Sequence, residues 1–388
     1  MIDRLLEPEI RTLAQEFPIV AILGPRQSGK TTLARKLFPD FAYVSLEDID
    51  HRDFARDDPR GFLDRFDSGV ILDEIQRVPH LVSYLQSFVD ERRQTGSVVV
   101  TGSHNFLLME QITQSLAGRV GITTLLPFSA QEMRVFDLNL AETLFTGGYP
   151  RIYDQSIRPG TFYRNYVATY IEKDIRQITQ ITKLDDFLRF MRVLAGRTGQ
   201  ELNLSAVADQ CGVAHGTIRE WLSILEASFL VFRLPPYHKN YNKRVVKNPK
   251  IYFTDTGLVC SLLGIREKEQ IDYHFLKGAL FETFVVSELV KSNFAVGERF
   301  GLYFWRDNHR KKIDVILESG LKQAGIEIKS GKTVRSDAFS GLSYWENLAQ
   351  EDTPETYLVY AGDESYTRDG THVVGWRSIH ERLVQRAM

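Results

Sequence analysis

Residues 21–32 read AILGPRQSGKTT, and this stretch decides the fold because an apolar run leads directly into a glycine-rich turn that ends in Lys-Thr. The spacing matches G-x-x-x-x-G-K-[ST], a loop that holds phosphates between a strand and a helix. Gly24 and Gly29 let backbone N–H groups converge on anionic oxygens. Lys30 is expected to reach the β- and γ-phosphates, and Thr31 to offer its hydroxyl to Mg²⁺. The stretch therefore predicts a site for a nucleoside triphosphate, taken to be ATP, whereas a glycine turn before a structural helix is the alternative.

A second apolar run, GVILDE at residues 69–74, ends in two carboxylates. The carboxyl ends of strands are where open α/β sheets place their ligands. Asp73 is predicted to hold Mg²⁺ through water, and Glu74 to orient and deprotonate the attacking water. The Asp-Glu pair indicates hydrolysis rather than binding alone. An acidic loop after a core strand is the alternative.

Two further segments contribute candidate residues to the same site. The run SVVVTGSHN places Thr101 and Ser103 at a strand end, where either hydroxyl can sense the γ-phosphate or simply cap a turn. Arg119 in SLAGRV is a candidate transition-state cation, within the chain or on a neighbouring subunit, and a surface or salt-bridged arginine is the alternative. The predicted nucleotide-binding residues are Gly24, Pro25, Arg26, Gln27, Ser28, Gly29, Lys30, Thr31, Thr32 and Ser103.

Strand-like runs alternate with helical patterns in the N-terminal third of the chain. This alternation predicts a parallel sheet with helices on both faces, as in an α/β P-loop ATPase core. The predicted strands lie at residues 19–23, 43–46, 70–72, 98–101 and 121–126.

The composition sets wider limits. With 388 residues, of which 43% are apolar, we expect a soluble globular protein of more than one domain. Cys211 and Cys260 lie far apart without metal-ligand spacing, which supports neither a disulfide framework nor a zinc site. The N-terminus does not have the pattern of a secretory signal and no apolar run has membrane length, so we expect a cytoplasmic protein without a membrane partner. A net charge of −2 means that contacts with nucleic acid must come from local basic patches.

The middle of the chain has the pattern of a DNA-binding segment. Residues 204–222 are predicted to form a helix, a glycine-containing turn and a second helix, followed by a strand at 229–234, as in a winged helix. Residues 237–250 contain basic and aromatic side chains and no acid, which predicts a salt-sensitive affinity for DNA. A helix pair that does not contact DNA and a solvated basic loop are the alternatives. The basic residues of the segment are Lys239, Lys243, Arg244, Lys247 and Lys250.

The C-terminal third carries the pattern D…E-x-K on two strand-like runs, IDVIL and IEIK. Glu327 and Lys329 lie two residues apart and so share one face of a strand, and a hairpin can bring Asp314 beside them. Two carboxylates and an ammonium can hold Mg²⁺ or Mn²⁺ and activate water against a phosphodiester. Glu282 on an upstream helix can complete the site. Surface Glu-Lys pairs across a sheet are the alternative.

Eight segments, in chain order, resemble a widespread prokaryotic family of AAA-type P-loop ATPases that carry the domain of unknown function 4143. They read GPRQSGKTTL, ILDEIQRVP, VVVTGSHNFLL, SLAGRV, LLPFSAQE, GGYPR, YIEKDIR and YFTDTGL, and the resemblance covers nearly the whole chain. It implies a C-terminal part similar to the PD-(D/E)xK nuclease superfamily. The matching positions are Glu282, Asp314, Glu327 and Lys329.

These patterns together predict an AAA-type P-loop ATPase domain at residues 1–145, a winged helix-turn-helix segment at 146–235 and a nuclease-like α/β domain at 236–388. The leading hypothesis is an ATP-hydrolysing protein that engages DNA and cleaves it with Mg²⁺ or Mn²⁺. A non-catalytic DNA-binding or signalling switch with an inactive nuclease fold is the second hypothesis, and an NTPase that remodels protein is the third. A homo-oligomer is expected if Arg119 acts on a neighbouring subunit. The predicted catalytic residues are Lys30, Asp73, Glu74, Arg119, Asp314, Glu327 and Lys329, and the predicted metal ligands are Thr31, Asp73, Glu282, Asp314 and Glu327.

Overall fold

The computed structural model of the chain describes residues 2–103, 115–170, 184–237, 248–306, 311–348 and 355–385. The chain divides into two compact units. The first comprises Met1–Pro127, Ala227–Phe229 and Phe294–Gly297, and the second comprises Phe128–Glu226, Leu230–Asn293 and Glu298–Met388. Among the described residues, no helix has the length and apolar character needed to cross a membrane.

The first unit is built on five strands and five helices within its described residues. The strands are β1 (Ile19–Leu23), β2 (Ala42–Ser45), β3 (Val70–Asp73), β4 (Val98–Gly102) and β5 (Val120–Thr124), and the helices are α1 (Glu7–Glu16), α2 (Lys30–Leu37), α3 (Ile49–Asp57), α4 (Pro59–Leu63) and α5 (Leu81–Arg92), with a 3₁₀ turn at Ile75–Arg77. The strands form one parallel sheet in the order β2-β3-β4-β1-β5. The predicted parallel α/β sheet is therefore confirmed.

The burial of β1 explains why this sheet is covered on both faces. Every residue of the strand is buried. Because side chains alternate along a strand, Ile19, Ala21 and Leu23 enter one hydrophobic core, and Val20 and Ile22 enter another. A continuous apolar strand of this kind is typical of a parallel sheet between two helical layers, and it ends at the phosphate loop.

The second unit contains two sheets and nine α-helices within its described residues. The strands are β6 (Gln200–Glu201), β7 (Val231–Leu234), β8 (Lys250–Phe253), β9 (Gly301–Arg306), β10 (Lys312–Ser319), β11 (Lys322–Lys329), β12 (Glu355–Tyr360), β13 (Tyr366–Arg368) and β14 (Thr371–Gly375). The α-helices are α6 (Leu140–Thr146), α7 (Pro150–Asp154), α8 (Pro159–Tyr170), α9 (Leu184–Ala195), α10 (Leu204–Cys211), α11 (His215–Ala227), α12 (Thr256–Leu262), α13 (Lys277–Ala295) and α14 (Ser340–Leu348). Shorter 3₁₀ turns lie at Glu132–Phe136, Lys268–Tyr273, Ser336–Phe339 and Trp376–Ser378, and a π-helical turn lies at His380–Val384.

The larger sheet is mixed and has the order β13-β14-β12-β11-β10-β9. β10 pairs with β9 and β11 in antiparallel fashion, whereas β11, β12 and β14 run parallel. Ile313 and Ile316 of β10 pack with Leu342 and Trp345 of α14 in a buried core. The register that pairs Val315 with Ile326 makes Asp314 and Glu327 the next opposed positions of the hairpin.

The smaller sheet is formed by strands that lie before and after the predicted helix pair in the sequence. α10 ends at Cys211, Gly212 takes a left-handed conformation with φ 68°, and α11 begins at His215. Trp221 of α11 packs against Phe187 and Phe190 of α9, so its indole belongs to a core. Strands β6, β8 and β7 then form an antiparallel sheet. The winged-helix assignment and the division at residues 145 and 235 stay predictions.

Candidate functional site

The phosphate loop connects the end of β1 to the start of α2. Gly24 has φ +148°, and a Cβ atom there would lie 2.2 Å from the carbonyl oxygen of Leu125, so only glycine fits. Gly29 has φ 94° and ψ 18°, a left-handed conformation, directly before the first residue of the helix. The loop thus ends at a helix N-terminus, where unsatisfied N–H groups favour anions. The other candidate residues of this segment, placed between the two glycines or in the first turn of α2, are Pro25, Arg26, Gln27, Ser28, Lys30, Thr31 and Thr32.

Two basic side chains donate hydrogen bonds to carbonyl oxygens of the loop. Buried Lys30 donates from Nζ to the oxygens of Gly24 at 3.1 Å and Pro25 at 2.8 Å. Arg4, also buried, donates to the oxygen of Ser28 at 2.9 Å and to that of Leu126 at 2.7 Å. Phosphate oxygens are stronger acceptors for an ammonium than neutral carbonyls, so ATP can recruit Lys30 from the loop. Sequence reasoning missed Arg4, because no local pattern connects it to the loop.

The carboxylate of Asp73, at the end of β3, accepts hydrogen bonds from three hydroxyl groups. Thr31 donates to Oδ1 at 2.9 Å, Thr101 donates to the same oxygen, and Tyr43 donates to Oδ2 at 2.9 Å. Burial, together with the charge and hydrogen bond of Asp73, raises the pKa of Tyr43 to about 12, so this hydroxyl is protonated at neutral pH. Thr31 and Asp73, the two predicted Mg²⁺ residues of this unit, are thus in direct contact. Their oxygens are the ligands that this hard cation prefers.

Glu74 follows in a left-handed backbone conformation with φ 56° and ψ 48°. Burial raises the pKa of its carboxyl group, although the charges of Lys30 and Arg26 oppose the shift. A raised pKa suits a general base that works near neutral pH. The Nε2 atom of Gln76 donates to Oε2 of Glu74 and also to Oγ of Ser103 at 3.0 Å. One amide therefore connects the candidate base with the candidate γ-phosphate-sensing hydroxyl.

Sequence reasoning did not single out Tyr43 or Gln76. Tyr43 lies on a short strand with no recognisable motif, and only the sheet brings it to Asp73. Gln76 stands two residues after Glu74 in DEIQ, so an amide close to a candidate base was the one available signal.

Gln76→Leu is expected to reduce kcat for ATP hydrolysis about tenfold and to leave KM for ATP within about twofold. The substitution removes a hydrogen bond to the charged Glu74, while the amide of Gln76 donates to Glu74 and Ser103 rather than to the phosphate loop. Steady-state ATPase assays measure both constants. The control is Gln94→Leu, at an exposed glutamine of the same unit. An unchanged kcat for Gln76→Leu would show that the amide does not orient the base.

Arg119 forms a two-pronged ion pair with Asp90. Its Nε lies 2.7 Å from Oδ1, and its second terminal nitrogen lies 2.8 Å from Oδ2. This is the arrangement that the salt-bridge alternative describes. The transition-state role of Arg119, in the same chain or in a neighbouring subunit, stays a prediction.

The second candidate site lies on the β10–β11 hairpin of the second unit. The structure places Asp314 and Glu327 on facing strands, and both side chains are buried. Asp314 Oδ2 accepts the backbone N–H of Ile328 at 3.0 Å, which ties the two strands together at the site. Glu327 Oε2, by contrast, is buried and has no hydrogen-bond partner among the described residues.

Each carboxylate of this cluster pairs with one lysine. Lys312 lies 2.8 Å from Asp314, and Lys329 lies 2.6 Å from Glu327. Burial alone would raise the pKa of Asp314, but Lys312 and Lys250, with the hydrogen bonds from Lys312 and the Ile328 N–H, hold that pKa below its usual value. Burial and the charge of Asp314 raise the pKa of Glu327 to about 7, although the two lysines nearest to it oppose the shift. The buried carboxyl group with the unpartnered oxygen is thus the one that binds a proton near neutral pH.

Glu282, on α13, accepts hydrogen bonds from Lys250 at 2.8 Å and from Tyr252 at 2.6 Å. Its charge also acts on Lys312, which places it in the same electrostatic cluster as Asp314. The buried position of Lys250 corrects its predicted role as a DNA phosphate contact, because its ammonium is engaged with Glu282. Lys250 was missed as a member of this cluster because it precedes Glu282 by more than 30 residues.

The described residues contain no group of three or more His, Cys, Asp and Glu side chains placed to hold a metal ion. Mg²⁺, however, is commonly held by one or two carboxylates with water completing its shell. One oxygen of Glu327 is buried without a partner among the described residues, whereas both oxygens of Asp314 accept hydrogen bonds, from Lys312 and from the Ile328 N–H, so a cation at this pair stays a prediction. Glu282 lies outside this pair, bonded to Lys250 and Tyr252.

The predicted basic-aromatic segment is only partly described. Tyr237 packs edge-on against Tyr303 and Trp345, and its hydroxyl donates to Glu318 at 3.2 Å, so it anchors the start of the segment. Outside the described residues lie Lys239, Lys243, Arg244 and Lys247, together with His104, Asn105 and residues 171–176 of the quoted family segments.

Comparison with known proteins places these sites in a family. An AAA domain model matches residues 16–134, the domain of unknown function DUF8612 matches residues 137–269, and the domain of unknown function DUF4143 matches residues 277–379. An uncharacterized protein of Mycobacterium tuberculosis is 31% identical over 330 residues, which are 84% of this chain and 73% of that protein. An uncharacterized protein of Methanocaldococcus jannaschii is 24% identical over 353 residues, with 80% of this chain and 74% of that protein covered.

Among solved structures, a Walker-type ATPase of Pyrococcus abyssi aligns with 68% of this chain and 96% of its own, at 14% identity and a TM-score of 0.46. The AAA domain match and the parallel sheet with its phosphate loop define an ATPase of the AAA, P-loop type. The chain belongs to the family of AAA-type P-loop ATPases that carry DUF4143, which confirms the resemblance drawn from the sequence.

Proposed function

We propose that this ATPase is a DNA-processing enzyme, in which ATP hydrolysis gates metal-dependent phosphodiester cleavage by the β10–β11 site. The observation that carries the cleavage proposal is Glu327 Oε2, an oxygen of a side chain only 6% exposed that has no partner among the described residues. A buried carboxylate oxygen without a protein partner is satisfied by a proton, a cation or an ordered water. Its position opposite Asp314 supports a cation held between two strands.

The residues of the β10–β11 site suit hydrolysis of a phosphodiester. Asp314 and Glu327 would hold Mg²⁺ or Mn²⁺, and Glu282 would adjust the charge around them. When bound, the cation supplies an acidic water and neutralises charge on the phosphate. Lys329 is 39% exposed, so its ammonium can reach a phosphate while it remains bonded to Glu327. There it would stabilise the negative charge that develops on the phosphate oxygens.

The residues of the phosphate loop suit hydrolysis of ATP. Lys30 binds the β- and γ-phosphates, and Mg²⁺ held by Thr31 and Asp73 would neutralise their charge. Glu74 accepts a proton from the attacking water, whose oxygen bonds to the γ-phosphorus as the bond to ADP breaks. The amide of Gln76 donates to both Glu74 and Ser103, so it links the candidate base with the hydroxyl that we expect to sense the γ-phosphate.

The wild-type protein is expected to cleave plasmid, single-stranded or branched DNA when Mn²⁺ is present, and Asp314→Asn is expected to cut at least about 100-fold more slowly. Asparagine keeps the shape of the side chain but removes the charge that holds the cation. Gel assays with and without ATP measure cleavage and its gating. Glu318→Gln on the same strand is the matched control, because Glu318 pairs with Tyr237 and not with the cluster. Cleavage that survives Asp314→Asn would come from a contaminant.

A non-catalytic DNA-binding or signalling switch is the second candidate function, and one observation favours it. Each of the three carboxylates already forms an ion pair with a lysine, as in a structural ion-pair network. Absence of cleavage by the wild type on every DNA form, together with ATP hydrolysis and DNA binding, would establish this alternative.

A further inference from the structure

We propose that a cavity beside the β10–β11 site binds a nucleotide of single-stranded DNA, with its base inside the cavity and its phosphate on Lys332. This inference rests on the proposed function, because it names the form of DNA and the face of the second unit that receives it. Its evidence is independent of the metal question. It comes from the position of the cavity, the side chains that line it and two exposed aromatic rings.

The cavity has a volume of about 370 Å³ and lies where three parallel strands end. Ser330 follows β11, Ala361 follows β12, and Trp376 follows β14, and all three line the cavity. Open α/β sheets bind their ligands at the carboxyl ends of parallel strands. Ser330 directly follows Lys329, so the cavity begins at the end of the strand that carries the candidate metal site. The volume lies in the range of small-molecule sites, which begins at about 300 Å³.

The lining combines apolar side chains with hydrogen-bond donors and acceptors. Leu140, Leu144 and Ile271 are apolar, and Trp376 adds a buried ring. The lining cations are Lys268, Lys277, Lys332 and Arg377, and the lining acids are Glu269, Asp272 and Asp363. A nucleobase presents donors and acceptors along its edges and an apolar face, which matches such a mixed lining better than a simple anion does.

Two exposed aromatic residues stand on the turn between two lining residues, Asp272 and Lys277. Tyr273 is 92% exposed and Phe275 is 86% exposed. The turn is well ordered by hydrogen bonds: Lys277 Nζ contacts Asp272 at 2.7 Å, and the N–H of Lys277 donates to His274 at 2.9 Å. Exposed apolar patches are typical of interaction sites. Aromatic rings beside lysines form the stacking platform of proteins that bind single strands.

A protein partner is the other occupant that exposed rings could receive. The position next to Lys329 and the exposed Lys332 favour nucleic acid, because both ammonium groups suit a phosphate backbone. Duplex DNA is disfavoured, since its bases are stacked and cannot enter a cavity without being extruded.

The test is the affinity of the full-length protein for a fluorescein-labelled oligo(dT) of about 16 nucleotides, measured by anisotropy at low salt in EDTA, where metal-dependent cleavage cannot occur. We expect the double variant Tyr273→Ala/Phe275→Ala to bind at least about tenfold more weakly than wild type. Lys332→Ala should weaken binding and reduce its salt dependence by about one phosphate contact. Leu321→Ala, at a residue 94% exposed on the β10–β11 turn, is the matched control and should bind like wild type.

The outcomes separate this inference from the proposed function. Wild-type binding that persists in the double variant and in Lys332→Ala overturns the cavity assignment and leaves DNA processing in place. Absence of binding by wild type at low salt overturns both. Unchanged DNA binding with lost self-association of the double variant identifies the aromatic turn as a protein interface and likewise overturns the inference.

Discussion

Glu74→Gln is expected to bind ATP and to leave it unhydrolysed, with kcat lowered by about 100-fold to 10,000-fold. The glutamine side chain has nearly the same shape but cannot accept the proton of the attacking water. Burial raises the pKa of Glu74, which makes the native carboxylate a stronger base near neutral pH than an exposed one. ATP affinity should remain because the phosphates are held by Lys30 and the loop.

The contrasting substitution is Lys30→Ala, which should weaken ATP binding itself. Titration with a fluorescent ATP analogue measures the affinity, and phosphate release measures the rate. The two variants therefore separate binding from chemistry. A Glu74→Gln protein that hydrolyses ATP at the wild-type rate would show that the base is another group.

Glu327→Gln is expected to make the second unit more stable at pH 8 by about 3 kcal/mol and to leave its stability unchanged near pH 4.5. The native state raises the pKa of Glu327 from 4.5 to about 7, so it holds the proton more tightly than the unfolded chain does. The stability that this proton contributes is fully present below pH 4.5 and is lost as the pH rises through 7. Glutamine imitates the protonated form at every pH.

Urea unfolding followed by tryptophan fluorescence measures this difference, since all four tryptophans lie in the second unit. Glu364→Gln, at an exposed position of the same unit, is the control. Mn²⁺ at pH 8 should stabilise the wild type and not Glu327→Gln, because the cation replaces the missing proton. Equal stabilities of wild type and variant at pH 8 would mean that ionisation of buried Glu327 does not destabilise the native state.

The phosphate loop was predictable because its chemistry is local. Gly24, Gly29 and Lys30 lie within one short turn, so their spacing in the sequence is enough to predict the conformation of the loop. The strands of the first sheet were predictable as well, since continuous apolar runs are the sign of a parallel sheet with two covered faces. Their ends differ from the predictions by at most two residues.

The contacts that come only from the tertiary fold were not predictable. Tyr43 reaches Asp73 because β2 pairs with β3, and no pattern near Tyr43 announces it. Lys250 lies in an acid-free stretch of sequence, which predicted an exposed cation. Strand β8 instead places its ammonium beside Glu282, where the two form a largely buried ion pair. For Asp314 and Glu327, the sequence pattern predicted two neighbouring strands of a hairpin. The difference between their pKa values depends on burial and on which lysine contacts which carboxylate, and the pattern does not contain this information.

The contact of Arg4 with the phosphate loop bears on where the ATPase domain begins. The AAA domain match begins at residue 16, yet the guanidinium that ties Ser28 to Leu126 belongs to residue 4. A fragment that begins at residue 16 would keep every motif residue. It would lose Arg4, whose hydrogen bonds join the phosphate loop to the chain after β5. The carbonyl oxygens of Ser28 and Leu126 would then lose the guanidinium that donates to them beside the phosphate loop. The residues that hold the phosphate loop in place therefore include the segment before α1, upstream of the AAA domain match.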